Sequence, residues 1–431
     1  MEYISLVFNF TVIIFFFILI KKNFFVIVRD SYFILFLFIF YLYIHLFPQM
    51  YIFNGHQNDA LKYLFIQLQI FLFFELPLLF FYKQFIWGKY NSSKRGFVIV
   101  ADTFRVNIFL TVLVILNIVF LFVAINYALF FRRIGHDALM LLSLQVPKLQ
   151  FVIYRLFEET GVFLTLILHI LIRFSEKNRK KVIFVFVLFI LTLLIYQIIN
   201  SRMQLLVTIF SHTILVISFK REFNVKKLLR IGLLSIVGVL TVMIFRNIIV
   251  LEDVDFNSVK SAIEDENSLD NRLNGIMLIS DISSNINNRG FMYGEAWIPS
   301  FQVMYYYLFD DKKAKEIKEN LNTTPKVNII KFYKGNYIVD MPSSLITDLY
   351  PNFGIVGLFF GALLIAFLLF KVCSGLITPK GSFNFLVVLY LIPLLIQAEK
   401  EFLSMLFMIF KYSSILFITL LIKPFNIVFR K

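Results

Sequence analysis

Residues 4–22 read ISLVFNFTVIIFFFILIKK, a nearly continuous apolar run closed by Lys21 and Lys22. A helix crossing the hydrocarbon core of a bilayer needs roughly 20 mostly apolar residues, and this run supplies them. No basic stretch precedes it and no small-residue cleavage site follows, so it reads as a retained first span and not as a cleaved signal. Similar runs recur outward from it, at 32–47, 61–82, 107–131, 158–174, 182–199, 205–219, 231–250, 354–370, 385–398 and 402–421. The expectation is an all-α polytopic membrane protein with about eleven transmembrane helices, ten to thirteen allowing for the shorter runs.

Composition leaves little room for another class. Of 431 residues, 59% are hydrophobic, 18% aromatic and only 16% charged, with mean hydropathy +0.81. A water-soluble fold averages nearer half apolar and a quarter charged, and could not hide this much apolar surface. The single cysteine, Cys373, excludes an intramolecular disulfide and cysteine-based metal or redox motifs.

The net charge of +15 sits in short loops between apolar runs, so a bilayer and not nucleic acid is the expected partner. Basic loops hold Lys21, Lys22 and Arg29; Lys83, Lys89, Lys94 and Arg95; Lys177, Arg179, Lys180 and Lys181; and Lys220, Arg221, Lys226, Lys227 and Arg230. With Arg430 and Lys431 they alternate correctly along the spans and are assigned to the cytoplasmic side. Residues 48–60 and 251–350 are then external. The external loop 132–157 breaks the rule with Arg132, Arg133, Lys148 and Arg155.

The chain therefore divides into a bundle of spans one to eight over 1–250, a large external segment over 251–350, and spans nine to eleven with a cytoplasmic tail over 351–431. The external segment opens acidic. Leu269, Leu273, Ile276 and Met277 then recur at helical spacing, predicting an amphipathic helix. Gly290–Gly294 reads as a loop, followed by an aromatic stretch from Trp297 through Tyr305 to Tyr307, and 311–320 reads as a solvated helix.

Ionisable residues inside spans are costly and are functional candidates by default. Lys62, Arg173 and Lys411 stand where a long side chain can snorkel to an interface. Glu75 lies deep in the third span, and His169 and His212 stand in the fifth and seventh with no evident partner, so a packing role is the simpler expectation for both. No chain of carboxylates and histidines that would make a proton relay is visible in the sequence. Arg202 follows Asn200 and Ser201 in a short external turn, where charge bias gives no reason for a cation. Its guanidinium fork suits phosphate oxygens, while anchoring to lipid head groups explains it equally well. With Arg132, Arg133, Arg246, Arg272 and Arg289 it makes the external side rich in arginine. Asp348 precedes Pro351-Asn352-Phe353-Gly354 at the opening of the ninth span, where Gly354, Gly357 and Gly361 permit close helix approach. It is either a general base for an acceptor hydroxyl or a helix cap or arginine partner, the structural role being the simpler one.

Three stretches carry a resemblance: NSRMQLLVTIF at 200–210, Arg272 with GFMYGEAWIPS at 290–300, and SSLITDLYPNFGIVGLFFG at 343–361. They resemble the Wzy-type O-antigen and capsule repeat-unit polymerases of bacteria, with Asn200 and Ser300 departing from the family pattern. The resemblance implies a GT-C-like fold in the cytoplasmic membrane with a site facing the exterior. It implies transfer of a growing glycan from undecaprenyl pyrophosphate to a new undecaprenyl-pyrophosphate-linked oligosaccharide, without metal or other cofactor. A chain-length regulator protein is the candidate protein partner. On this reading Arg202, Arg272 and Asp348 are catalytic. Arg246, Arg289, Arg132, Arg133, Tyr293, Trp297 and Tyr305 bind substrate, the aromatics by stacking on sugars. An O-antigen ligase and a flippase for the same lipid-linked glycan are the alternatives; the absence of an internal repeat and the large external segment speak against the flippase.

Overall fold

The computed structural model describes residues 2–22, 24–26, 29–87, 97–134, 148–199, 202–220, 274–309, 325–335, 344–396, 402 and 413–429. These residues are mostly helical. Five helices are long and apolar enough to cross a membrane: Glu2–Lys21, Arg29–Phe53, Gln57–Ile86, Thr103–Val123 and Leu345–Ile377. They coincide with five expected spans. Shorter apolar helices stand at Thr160–Phe174, Val207–Phe219, Ser382–Leu395 and Ser413–Ile422. The expected span at 231–250, half of that at 402–421 and the expected helix at 311–320 lie outside the described residues. Helix α1 (Glu2–Lys21) turns Val7, Phe10, Ile14 and Phe17 outward. In water such a face would be costly, whereas lipid is as apolar as the side chains themselves.

The chain forms two compact units. The first combines Met1–Ser92, Glu264–Lys371 and Gln397–Phe407. After α1 come α2 (Ser31–Tyr41), a π turn (Leu42–Leu46) and α3 (Phe47–Phe53). Then follow α4 (Ala60–Ile70), a second π turn (Phe71–Glu75) and α5 (Leu76–Trp87). Each π turn is followed within two residues by a proline, Pro48 or Pro77. Proline has no N–H and clashes with the preceding turn, so the ladder widens: Phe47 N–H reaches Leu42 O, and Leu76 N–H reaches Phe71 O. Pro48 leaves the carbonyls of Tyr43 and Ile44 short of helical donors. Gly275 N–H takes Tyr43 O at 2.9 Å, and Gln67 Nε2 takes Ile44 O at 2.9 Å. At the other end of α2, buried Asp30 accepts Tyr82 OH, the Val26 N–H and both guanidinium contacts of Arg29.

The polar side chains of these helices also find each other. His45 lies between Asn9 Oδ1 at 2.8 Å and Glu75 Oε1 at 2.9 Å. Asn9 donates to Gln49 Oε1 at 2.9 Å, which also accepts Ser5 Oγ at 2.7 Å. All five side chains are buried. Glu75, expected alone in its span, is half of a His–Glu pair.

The segment 251–350 contributes α10 (Met277–Arg289), α11 (Ile298–Phe309) and α12 (Pro325–Lys334). Of the stripe expected to form an amphipathic helix, Leu269 and Leu273 lie outside the described residues, Ile276 lies in a turn with Gly275, and a helix begins at Met277. Its apolar face, Leu278, Ile282 and Ile286, packs with Met292, Ala296, Ile329 and Ile330. Helix α13 (Leu345–Ile377) is broken at Gly354, whose φ of 60° and ψ of −142° are not helical. The break is sharp. A Cβ on Gly357 would stand 2.7 Å from Leu349 O, and one on Gly361 2.5 Å from Leu349 Cδ1. The glycines that were expected to admit a neighbouring helix instead admit the first two turns of their own.

The second unit combines Ser93–Ile263, Val372–Ile396 and Met408–Lys431. It holds β1 (Phe97–Ala101), α6 (Thr103–Ile134), the long α7 (Lys148–Phe174), α8 (Arg179–Ile199) and α9 (Arg202–Lys220). Helices α14 (Ser382–Ile396) and α15 (Ser413–Ile422) and strand β2 (Phe425–Phe429) complete it. The loop expected over 132–157 is narrowed from both sides, since α6 continues to Ile134 and α7 already begins at Lys148. Phe157, at the heart of the unit, meets Phe120 and Phe189. His169 and His212, expected without partners, lie stacked with ring centroids 5.3 Å apart. Arg173 lies over the rings of Phe174 and Phe219.

Beside the helices, which fit the all-α expectation, the described residues hold one short antiparallel pair, β1 with β2, from Phe97 opposite Phe429 to Ala101 opposite Phe425.

Replacing Gly354 by Ala forces a Cβ into a backbone region open essentially to glycine and to within 2.6 Å of the Phe291 ring. The expected cost is about 2–4 kcal/mol, combining strain and overpacking. It is read as a fall in thermal stability of the detergent-solubilised protein; an unchanged transition would contradict the break at Gly354.

Candidate functional site at the break in the long apolar helix

The first arm of α13 ends at Gly354, and a helix end leaves its last carbonyls without intrahelical donors. The Gly290–Gly294 loop supplies them. Met292 N–H bonds Pro351 O at 3.0 Å and Tyr293 N–H bonds Asn352 O at 2.8 Å. Gly294 N–H bonds Asn352 Oδ1 at 3.1 Å. To present consecutive N–H groups the loop turns through positive φ at Gly290, Tyr293 and Gly294. Two of these are glycines, to which that conformation costs nothing; Tyr293 bears the strain.

Aromatic side chains close the junction. Phe291 covers Gly354 and meets Tyr350 edge to face at 6.1 Å. Trp297 packs against Phe353 at 5.1 Å and stacks with Phe402 at 6.3 Å. From α12, Tyr333 donates its hydroxyl to Gly290 O at 2.7 Å, with Pro351 O at 3.3 Å. Asn328 Nδ2 holds Ala296 O. Two of the three stretches that carry the family resemblance, 290–300 and 343–361, therefore interlock through backbone and rings.

The candidate residues fall unevenly on this frame. Asp348 is fully buried in the first arm of α13. Its Oδ1 accepts Phe402 N–H at 2.9 Å, and its own carbonyl accepts Asn352 Nδ2 at 2.6 Å. The geometry is that of a carboxylate holding backbone in place. Arg289 ends α10, is exposed, and donates through Nη1 to Phe332 O. Tyr293 and Tyr305 are largely exposed. Trp297 is half-buried, and its indole N–H has no hydrogen-bond partner among the described residues. The junction thus offers one guanidinium and exposed aromatic faces on a rigid base, groups able to meet phosphate oxygens and sugar rings.

Arg202 is the first residue of α9 in the second unit, and Arg132 and Arg133 lie in the last turn of α6; their side chains are outside the described set. Arg246 and Arg272 lie outside the described residues altogether. Among the described residues no three His, Cys, Asp or Glu side chains converge as a metal site.

Sequence reading missed Asn352 and Tyr333, which tie the loop to the helix, and His45, Asn9 and Gln49, which surround Glu75. A signal for the latter existed: Ser5 with Asn9, and His45 with Gln49, are polar pairs four residues apart in otherwise apolar runs.

Compared with known proteins, the chain matches no family model, no curated protein and no solved structure.

Burial pushes the Tyr333 phenol from its ordinary 10 up to about 12. The neutral form is the one that folds. Its contribution to the junction is complete below pH 10 and is lost as pH rises through about 12. The two tryptophans are Trp87 and Trp297, so a Trp87→Phe protein reports on the junction by fluorescence. We expect an alkaline transition in that signal which Tyr333→Phe removes, at a cost of about 1–2 kcal/mol in stability. An identical alkaline transition in both proteins would refute the role.

Proposed function

We propose that this chain is a glycosyltransferase that polymerises lipid-linked oligosaccharide repeat units at the outer face of the bacterial cytoplasmic membrane. In this reading about eleven helices form a GT-C-like scaffold, and the substrates are glycans on undecaprenyl pyrophosphate. The observation that carries it is the interlocked junction. An apolar helix of spanning length is broken at one end, and the break is roofed by a loop bearing Arg289, Tyr293 and Trp297. A lipid-linked sugar pyrophosphate has the matching anatomy: a polyprenyl tail for the bilayer, a dianionic head and sugar rings at its end.

The acceptor hydroxyl of the fresh repeat unit attacks the anomeric carbon of the donor glycan. The bond from that carbon to the pyrophosphate oxygen breaks, and the hydroxyl proton passes to water. Charge grows on the leaving pyrophosphate, so cations placed there lower the barrier. Arg202 and Arg272 take that role, with Arg246, Arg289, Arg132 and Arg133 along the approach. Arg202 opens a helix, whose N-terminus adds further attraction for an anion. Tyr293, Trp297 and Tyr305 stack on sugars. Asp348 acts by positioning, since its carboxylate is occupied with backbone.

One observation favours a second reading, transport of the same lipid-linked glycan: the buried His45–Glu75 pair, because intramembrane titratable pairs recur along ion pathways. The two readings differ in a deletion strain. Loss of a polymerase leaves single repeat units on the surface, whereas loss of a flippase or a ligase leaves none.

Removing one donor that stabilises developing charge costs about 10²–10³ in rate. Arg202→Ala, expressed at the normal level, is expected to collapse long polymer on gels to short chains. Arg202→Lys, which lacks the planar fork, is expected to restore it only in part. Long chains from the alanine variant would remove Arg202 from the site.

A further inference from the structure

The buried polar chain in the first unit is unused by the proposed chemistry. It runs through three helical segments, from Ser5 and Asn9 on α1, through Gln49 and His45 on either side of Pro48, to Glu75 in the second π turn. Two π turns meeting at one histidine and one glutamate are unusual, since such turns concentrate at functional sites. Two buried atoms on the chain have no hydrogen-bond partner among the described residues, Glu75 Oε2 and Gln49 Nε2.

Hydrogen-bond polarity decides how many protons the pair holds. Gln49 Oε1 accepts from both Ser5 Oγ and Asn9 Nδ2. Asn9 therefore turns its Oδ1 to His45, and Nδ1 at 2.8 Å must carry a hydrogen. The 2.9 Å contact between His45 Nε2 and Glu75 Oε1 then needs a second one. Without it, a lone pair would face a carboxylate. Imidazolium with carboxylate and imidazole with carboxylic acid both satisfy it, and both leave the pair uncharged.

A second polarity satisfies the same distances with one proton fewer. Asn9 and Gln49 each turn their amides over. Gln49 Nε2, now without a partner, donates to Asn9 Oδ1 and Ser5 Oγ. Asn9 Nδ2 donates to a bare His45 Nδ1, and Nε2–H donates to an ionised Glu75. The proton has left for water and the pair carries one negative charge.

We propose that His45 and Glu75 form a site in the interior of the bundle that binds and releases one proton, with Asn9 and Gln49 reversing in step. The inference is independent of the polymerase reading. The other titratable group facing the pair is Tyr41, whose ring stacks on His45 at 5.2 Å and whose hydroxyl donates to Asn9 O. From α1 the ring of Phe8 also meets His45. Among the described residues no Lys, Arg or Asp and no second Glu is bonded to either member. Burying a lone carboxylate is expensive, and the loaded, uncharged form of the pair avoids it.

The test uses the full chain in lipid nanodiscs and infrared difference spectra between acidic and alkaline buffer. Wild type should lose a carboxyl or imidazolium band together with a change in side-chain amide bands, with one midpoint. Glu75→Gln should remove both components. Asn9→Leu keeps the carboxyl and should lose the amide component, with the midpoint moved by roughly one pH unit or more. The Asn9 variant also carries the test if Glu75→Gln does not fold. Bands that persist unchanged in folded Glu75→Gln, an Asn9 variant that titrates like wild type, or a wild-type spectrum with no band moving across the range would each overturn the site.

Discussion

Inside a bilayer a backbone carbonyl that loses its helical donor has no water to turn to, and much of the first unit is organised around that constraint. Proline and glycine break the ladder at defined places, and each break is met by a tertiary partner. Pro48 leaves Tyr43 O to Gly275 N–H and Ile44 O to Gln67. Gly354 leaves Pro351 O and Asn352 O to the N–H groups of Met292 and Tyr293. Gly275 O in turn receives Ser344 Oγ, whose neighbour Leu345 begins the broken helix. Hydrogen bonds thus run from the first π turn to the start of α13.

The same constraint explains why the Gly290–Gly294 loop has one shape. Gly354 sits where only glycine is comfortable, and Phe291 occupies the space that any side chain there would need. With that ring seated, the loop can reach the carbonyls only by turning through positive φ, which fixes Tyr293 outward. Trp297 is held by Phe353 and Phe402, so the rim faces outward on a base that does not depend on its own side chains. A rim of this kind can be varied to suit a polar ligand at little cost to the fold.

The long apolar helices were legible because spans are a local property: length and apolarity are read one window at a time. Gly275 lies in a turn committed to Tyr43 O, a partner more than two hundred residues away that no local pattern shows. Asp348, for which a structural role was the simpler expectation, carries Phe402 N–H on its carboxylate.

What the sequence by itself determined is that the chain belongs in a membrane and where several of its helices run, because hydrophobicity acts through composition and needs no partner. The tertiary structure alone decided which polar groups meet. Glu75 could be counted as a buried carboxylate from its position, but not as one within hydrogen-bond reach of His45. The glycines of α13 could be marked for close approach, but not for approach by the helix's own first turns. Those outcomes depend on directions of individual bonds between residues distant in the chain, and no window of sequence carries them.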